Sequence, residues 1–170
     1  SNWENVLIEF RISAATGIDR NFGFRVEDET QFKMYGIHIS GAPTNKIALE
    51  KFLSSNNGVE LLSVPFNFAN NTWYDMSIKA KGNTISIYVN DIQVINFVDD
   101  GSYLGIPILS GKAALIVTTG AVAPTTVRYD NVVVRDLDRL DMTDYKQKDI
   151  LWKNDLMGQS GLTLGGYGCT

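Results

Sequence analysis

The amino-acid sequence predicts an all-β fold, a two-sheet antiparallel β-sandwich of the jelly-roll type with a C-terminal extension. Apolar and polar residues alternate with a period of two over much of residues 1–135, as at Ile85, Ile87 and Val89. Such alternation places one face of a strand on a core and the other on solvent or a ligand. β-branched and aromatic residues dominate these runs, and Gly, Asn and Asp separate them, which is typical of strands joined by turns.

Short strands with brief connections account for the whole of this region. The predicted strands, in chain order, are 4–13, 20–28, 31–40, 45–53, 59–64, 72–81, 83–89, 92–98, 111–118 and 125–135. Lys81-Gly82-Asn83 fits a hairpin turn, and Asn90-Asp91 fits a second tight turn. This pattern favours a sandwich, with a closed barrel as the structural alternative.

The alternation ends near Asp136, which predicts a β-sandwich domain over 1–135 and an extension over 136–170. Five of the 15 glycines fall between Gly158 and Gly168, so the last residues are rich in Gly, Ser and Thr. One interpretation is a flexible terminus or linker. The other is an extended strand that pairs with the edge of a sheet, its own or a neighbour's.

Composition and charge exclude several classes of protein. The 170 residues include 15 Lys and Arg against 19 Asp and Glu, a net charge of −4. This mild acidic excess, without a basic cluster, argues against nucleic acid and anionic membranes as partners. One Cys, Cys169, excludes a disulfide scaffold within the chain. No apolar run approaches the roughly 18 residues of a spanning helix, and the chain does not open on a signal-peptide pattern.

Several runs occur in an order that is typical of one superfamily. They are Phe22-Gly-Phe-Arg-Val26, Phe32-Lys-Met-Tyr-Gly-Ile-His-Ile39, Lys46-Ile-Ala-Leu-Glu-Lys-Phe52, Asn71-Thr-Trp-Tyr-Asp-Met-Ser-Ile78, Asn83-Thr-Ile-Ser-Ile-Tyr-Val-Asn-Asp91, Val94-Ile-Asn-Phe-Val-Asp-Asp100, Gly111-Lys-Ala-Ala-Leu115 and Tyr129-Asp-Asn-Val-Val-Val134. In order and spacing, residues 3–135 resemble the concanavalin A-like lectin/glucanase superfamily. Within it they are most similar to 3-keto-disaccharide hydrolase-type domains and levan-binding carbohydrate modules. The sequence departs at Asn90-Asp91, where that branch usually has Asn-Gly or Asp-Gly, and the extension has no counterpart.

The resemblance implies a non-catalytic carbohydrate-binding module of a secreted or cell-surface protein. Glycosidases of this fold carry two carboxylates on one strand as Glu-x-Asp-x-x-Glu, which this sequence lacks. The consecutive acids at 27–29 fit a solvated turn, and the single His38 has no nucleophile elbow to serve. An enzyme is therefore not expected, although a hydrolase or lyase acting on 3-keto-glycosides stays an alternative. Another is a structural subunit of a surface assembly that self-associates through residues 157–170.

Candidate ligand-binding residues are aromatic or planar polar side chains on a sheet face or a rim loop. They are Arg25, Glu27, Tyr35, His38, Glu50, Tyr74 and Tyr103, with Trp73 more typical of packing. Flat aromatics bind the C–H faces of sugars, and paired polar groups bind hydroxyls. Parity predicts that Tyr35 faces outwards, opposite to Met34. It also places Arg25 and Glu27 together on one exposed strand face.

No cofactor is expected to be required, but the resemblance leaves a structural calcium ion open. Superfamily members often hold one where an Asp of the last strand meets a nearby loop. Asp130, in Tyr129-Asp130-Asn131, is in that position. The alternative is an ordinary hydrogen-bonded strand acid.

Overall fold

The structure, a computed structural model, describes residues 3–17, 19–117 and 124–140. Its compact unit extends to Asp138. The predicted tail strand and the self-association segment 157–170 lie outside the described residues, so the proposed division of the chain at 135 stays a prediction. No helix among the described residues is long and apolar enough to cross a membrane.

Two antiparallel five-stranded sheets form the fold. Their strands are β1 (Val6–Thr16), β2 (Asp19–Asp28), β3 (Lys33–Ser40), β4 (Lys46–Ser54), β5 (Asn57–Pro65), β6 (Tyr74–Lys81), β7 (Thr84–Val89), β8 (Ile92–Val98), β9 (Lys112–Ile116) and β10 (Thr126–Asp136), followed by a helical turn, α1 (Leu137–Leu140). The first sheet has the order β10-β1-β6-β7-β8, and the second has the order β5-β4-β3-β2-β9. The predicted sandwich is confirmed, and each predicted strand overlaps an observed one.

The core lies between the sheets and is built from the alternating residues of their inner faces. Phe10 of β1 stacks on Phe22 of β2 with ring centroids 4.3 Å apart, which joins the two layers. On β7, Ile85, Ile87 and Val89 are almost fully buried while the residues between them are half-buried. Burial of each such side chain contributes on the order of 1.5–3 kcal/mol, so the period-two pattern is the main determinant of the fold.

A charged cluster crosses this core. The ammonium of Lys51 donates to Asp99 Oδ2 at 2.8 Å, and neither side chain is exposed to solvent. Tyr35 donates to the same oxygen at 2.5 Å. The other acceptors of Lys51 Nζ are the carbonyl oxygens of Tyr103, Gly105 and Ile106, at 2.9, 2.7 and 3.0 Å. The cluster fixes the loop between β8 of the first sheet and β9 of the second.

The outer face of the second sheet is ordered in rows by strand register. Met34 on β3 lies opposite Phe52 on β4, which lies opposite Gly58 on β5. One step along, Gly36 lies between Gly23 on β2 and Glu50 on β4. The next row carries His38. Two adjacent glycines of the middle row, with Glu50 next to them, therefore lie between an apolar row and the row of His38.

Candidate functional site

A depression on this outer face, here called the groove, is the candidate site. It has a volume of about 200 Å³. Its lining residues are Asn21, Phe22, Phe32, Met34, Gly36, Ile37, His38, Glu50, Phe52 and Ile116. They come from β2, β3, β4 and β9 and from the turn before β3, so four strands of one sheet hold the groove rigidly. Concave sites with an apolar lining and a few convergent polar groups are typical ligand sites.

The polar end of the groove is a hydrogen-bonded cluster centred on His38. Its Nε2 lies 3.0 Å from Asp19 Oδ1, and its Nδ1 lies 3.3 Å from Glu50 Oε1. Ser40 Oγ lies 3.2 Å from the same Nε2. The acids come from the flanking strands β2 and β4, so three adjacent strands fix the orientation of the imidazole.

The charge state of His38 follows from these contacts. The hydrogen bond with Glu50 raises the pKa of His38 above its usual value. Burial opposes this effect, and the hydrogen bond with Asp19 adds to it. Both ring nitrogens can donate only in the imidazolium form, which is therefore the form that satisfies both carboxylates.

Acidic and basic groups continue beyond His38 onto β5. Lys46 Nζ donates to Glu60 Oε2 at 2.5 Å, and Ser63 donates to the other oxygen of Glu60 at 2.5 Å. These two hydrogen bonds, that of Lys46 first, lower the pKa of Glu60. The polar end thus presents fixed carboxylate oxygens, which are the strongest neutral-pH acceptors for the hydroxyl groups of a ligand.

The apolar end is formed by Phe52, Phe32, Met34 and Ile116. The rings of Phe32 and Phe52 meet edge to face, with centroids 5.7 Å apart and planes at 83°. A Cβ at Gly58 would lie 2.3 Å from Phe52 Cδ1, so the ring covers the backbone of that glycine. Aromatic surface beside hydrogen-bonding groups is the arrangement that a sugar ring requires, because sugars have both C–H faces and hydroxyls.

The sequence match decides the family. Residues 4–135 match the domain described as 3-keto-alpha-glucoside-1,2-lyase-like. The chain belongs to this family. The resemblance noted from the order of the sequence motifs is thereby confirmed over nearly the same residues. No protein of curated function matches the sequence.

Solved structures share the fold of this family member at low sequence identity. The carbohydrate binding module CBM66 from Bacillus subtilis has a TM-score of 0.66 and 18% identity, over 80% of this chain and 78% of that one. A Bacillus subtilis protein of unknown function with a galectin-like fold gives 0.61 and 13%, over 80% and 74%. Sheep galectin-11 gives 0.51 and 9%, over 78% and 90%. At these identities the likeness establishes the jelly-roll fold.

Of the residues that sequence analysis selected, the groove brings together His38 and Glu50. Both residues lie on the outer face of the second sheet, and their side chains are 29% and 21% exposed. They belong to neighbouring strands, with Gly36 opposite Glu50 and Ala48 opposite His38. Their function as ligand-binding residues stays a prediction.

Tyr35 does not face outwards as parity predicted. It is fully buried, and its hydroxyl contacts Asp99 and the amide of Ile108. Burial and the hydrogen bond to Asp99 raise the pKa of Tyr35. The prediction assumed that Phe32 and Met34 belong to the core, whereas both line the outer groove, so the two faces of β3 were exchanged.

Arg25 and Glu27 do not form an exterior pair either. Arg25 has a φ of 49° at a register shift between Phe24 and Asp28, so a bulge turns its side chain inwards. Its guanidinium donates to the carbonyls of Ile108 and Glu4 at 3.0 and 2.8 Å. Glu27 is exposed and pairs with Lys33. Alternation fails at a bulge, and nothing in the local composition marked this one.

The remaining aromatic candidates lie away from the groove. Tyr74 is 9% exposed, and its hydroxyl accepts a hydrogen bond from the amide of Ala69 at 2.9 Å. Tyr74 is therefore a packing residue. Tyr103 is 42% exposed on the loop after β8. Trp73 precedes β6 and lies beneath the Arg11 guanidinium, 5.2 Å from the ring centroid.

The surroundings of Asp130 do not fit a calcium site. Its carboxylate is half-exposed, and the Arg11 guanidinium lies 3.9 Å away. One of its oxygens accepts the amide of Asn131. Within the described ranges, no group of three His, Cys, Asp or Glu side chains could hold a metal ion. Calcium binding requires six to eight oxygens, and a neighbouring cation opposes it.

Sequence reasoning missed four residues that line the groove, Phe32, Met34, Phe52 and Ile116, and also Asp19, which contacts His38. The four apolar ones alternate in strands and therefore resemble core positions. One signal was available in two glycines, Gly36 within β3 and Gly58 near the start of β5. A glycine inside a strand often marks the close approach of another group.

Proposed function

We propose that the groove binds carbohydrate and that the protein is a non-catalytic module of a secreted or cell-surface protein. The observation that carries the proposal is the His38 cluster beside an aromatic wall on an open sheet face. The fold shared with a carbohydrate binding module and a galectin supports it. The secreted or cell-surface location is part of the proposal and rests on the family resemblance.

In this proposal, each part of the groove recognises a different part of the sugar. The ring of Phe52 covers a C–H face. The oxygens of Glu50 and Asp19 that do not contact His38 accept hydrogen bonds from hydroxyls. The charged His38 holds both carboxylates in place, so little side-chain freedom is lost on binding.

A hydrolase or lyase acting on 3-keto-glycosides is the second candidate. The family description favours it, as do the two carboxylates and Ser40 around one imidazole. Against it, both acids engage the same histidine, whereas glycosidases place an acid and a base on opposite sides of the scissile bond. A third candidate, a subunit that self-associates through residues 157–170, rests on composition.

A glycan array followed by titration calorimetry tests the proposal. Phe52→Ala and Glu50→Gln should each weaken binding about tenfold or more, because they remove a stacking surface and a charged acceptor. Trp73→Ala, next to the first sheet, and Asp75→Asn, on β6 of that sheet, are the matched controls, and they should bind as the wild type does. Circular dichroism verifies that each variant is folded.

Two results would contradict it. The first is the absence of binding to any glycan. The second is turnover of a 3-keto-glycoside that His38→Gln abolishes, which would establish the enzyme instead.

A further inference from the structure

The apolar end of the groove offers more apolar surface than the one ring face on which a sugar stacks. Phe32, Met34, Phe52 and Ile116 line it, and the polar residues of the groove lining are Asn21, His38 and Glu50. A pocket of about 150 Å³ accommodates benzene in a protein interior. The groove measures about 200 Å³ over both of its ends and is open to solvent, so it has room for a phenyl group while the sugar lies partly outside it.

The side chains of the apolar end pack directly onto two glycines. A Cβ at Gly36 would lie 3.3 Å from Phe52, closer than ordinary packing allows. A Cβ at Gly23 would lie 2.8 Å from Ile116 Cδ1 and 3.1 Å from Met34 Sδ. The side chains of Phe52, Ile116 and Met34 thus extend over bare backbone. Their outer surfaces line a trough, which is the apolar part of the groove next to Glu50.

Register places this trough directly beside the polar end. Gly36 lies opposite Glu50, whose carboxylate contacts His38. A ligand whose hydroxyls reach the carboxylates therefore has its neighbouring substituent against the apolar side chains that cover the glycines. The edge-to-face rings of Phe32 and Phe52 are contacts that aromatic groups favour, and Met34, which lines the groove beside them, is 3% exposed.

We propose that the ligand is an aryl glycoside, with the sugar hydroxyls at Asp19, His38 and Glu50 and a phenyl-sized aglycone among Phe32, Met34, Phe52 and Ile116. This inference rests on the proposed function and names its ligand class. The sugar reaches from the carboxylates onto the ring of Phe52, and the aromatic group, which contacts the same ring on the side of Phe32, supplies additional buried apolar area.

Calorimetry with paired probes tests it. The probes are the phenyl and methyl glycosides of glucose, galactose and mannose, together with benzyl alcohol. For at least one sugar, the phenyl glycoside should bind at least about tenfold more tightly than the methyl glycoside, since even one methylene in an apolar pocket is worth about that factor. Ile116→Asn should lower this ratio, because it places a polar amide in the apolar wall that contacts the phenyl group.

Leu115→Asn is the matched control. Leu115 is next to Ile116 on the same edge strand, is 56% exposed and does not line the groove. It should keep the wild-type ratio. Equal affinities for phenyl and methyl glycosides would overturn the inference and leave carbohydrate binding intact. Benzyl alcohol binding as tightly as the phenyl glycoside would instead overturn the carbohydrate proposal, and the aryl glycoside with it. Failure of every probe to bind would also overturn the inference.

Discussion

Replacing Lys51 by Met should cost more stability than any surface change in this protein. The substitution keeps the volume of the side chain and removes the ammonium. Asp99, which has no exposed side-chain surface, then keeps only the Tyr35 hydroxyl and the Gly101 amide as partners. Breaking a buried ion pair by removing one partner costs about 3–5 kcal/mol.

The carbonyls of the loop after β8 lose a shared donor at the same time. Three backbone oxygens, in partly buried contacts at 2.7–3.0 Å from Lys51 Nζ, would lose that donor. We therefore expect the upper half of that range, about 4–5 kcal/mol, and a Tm lowered by roughly 10 °C or more. Urea unfolding followed by tryptophan fluorescence gives the free energy, and calorimetry gives the Tm.

The pH dependence gives a second check. Burial alone would raise the pKa of Asp99, but the hydrogen bonds from Lys51 and Tyr35 outweigh it and the pKa is lowered. A lowered carboxyl pKa contributes stability above the unfolded value, and this contribution is lost as the pH falls through the folded value. The difference between wild type and Lys51→Met should therefore shrink below about pH 4.

Control variants separate the ion pair from the loss of a lysine. Lys79→Met removes an exposed lysine of β6 and should be near neutral. Adding Asp99→Asn to Lys51→Met should recover part of the lost stability, because no buried charge remains unpaired. A Lys51→Met variant within about 1 kcal/mol of the wild type would refute this reasoning.

The remaining predictions concern the groove and the extension. Because the pKa of His38 is raised, its contribution to stability is complete below about pH 6.5 and is lost as the pH rises through the folded value; unfolding free energies across this range should show the loss, and His38→Gln should flatten it. Gly58→Ala should displace the ring of Phe52, lowering stability by about 1–3 kcal/mol and weakening glycan binding; unchanged affinity in calorimetry would contradict the position of the ring. Deletion of residues 157–170 should leave glycan binding intact, and light scattering would reveal any loss of assembly. Chelation with EDTA should leave the Tm unchanged, whereas a decrease would indicate a structural metal ion.

The strands could be predicted because each depends on a local period. On β7 the inward residues Ile85, Ile87 and Val89 are β-branched, and the residues between them are polar. The period-two pattern and the strand propensity therefore agree. Register follows from hairpins such as β6–β7, where Lys81 pairs with Thr84 around the predicted turn. These features need no knowledge of distant contacts.

The faces of β2 and β3 could not be assigned in this way. Both faces of β3 carry apolar residues, because Met34 lines the groove while Tyr35 is buried in the core. Only the distant partner Asp99 explains a buried tyrosine at that position. The bulge at Arg25 likewise depends on carbonyls far along the chain. His38 and Glu50 could be selected because they are polar residues within strands of alternating polarity. Asp19 lies one residue before the predicted strand 20–28 and was therefore missed.

The central claim is that the outer face of the second sheet is the ligand site. Its most direct test is an NMR titration with a glycan that the protein binds. The account predicts shifts in the amide resonances of Gly36, His38 and Glu50 and in the ring resonances of Phe52, with those of Trp73 and Tyr88 beside and within the first sheet unchanged. Shifts confined to the first sheet, or to the loop that carries Tyr103, would contradict it.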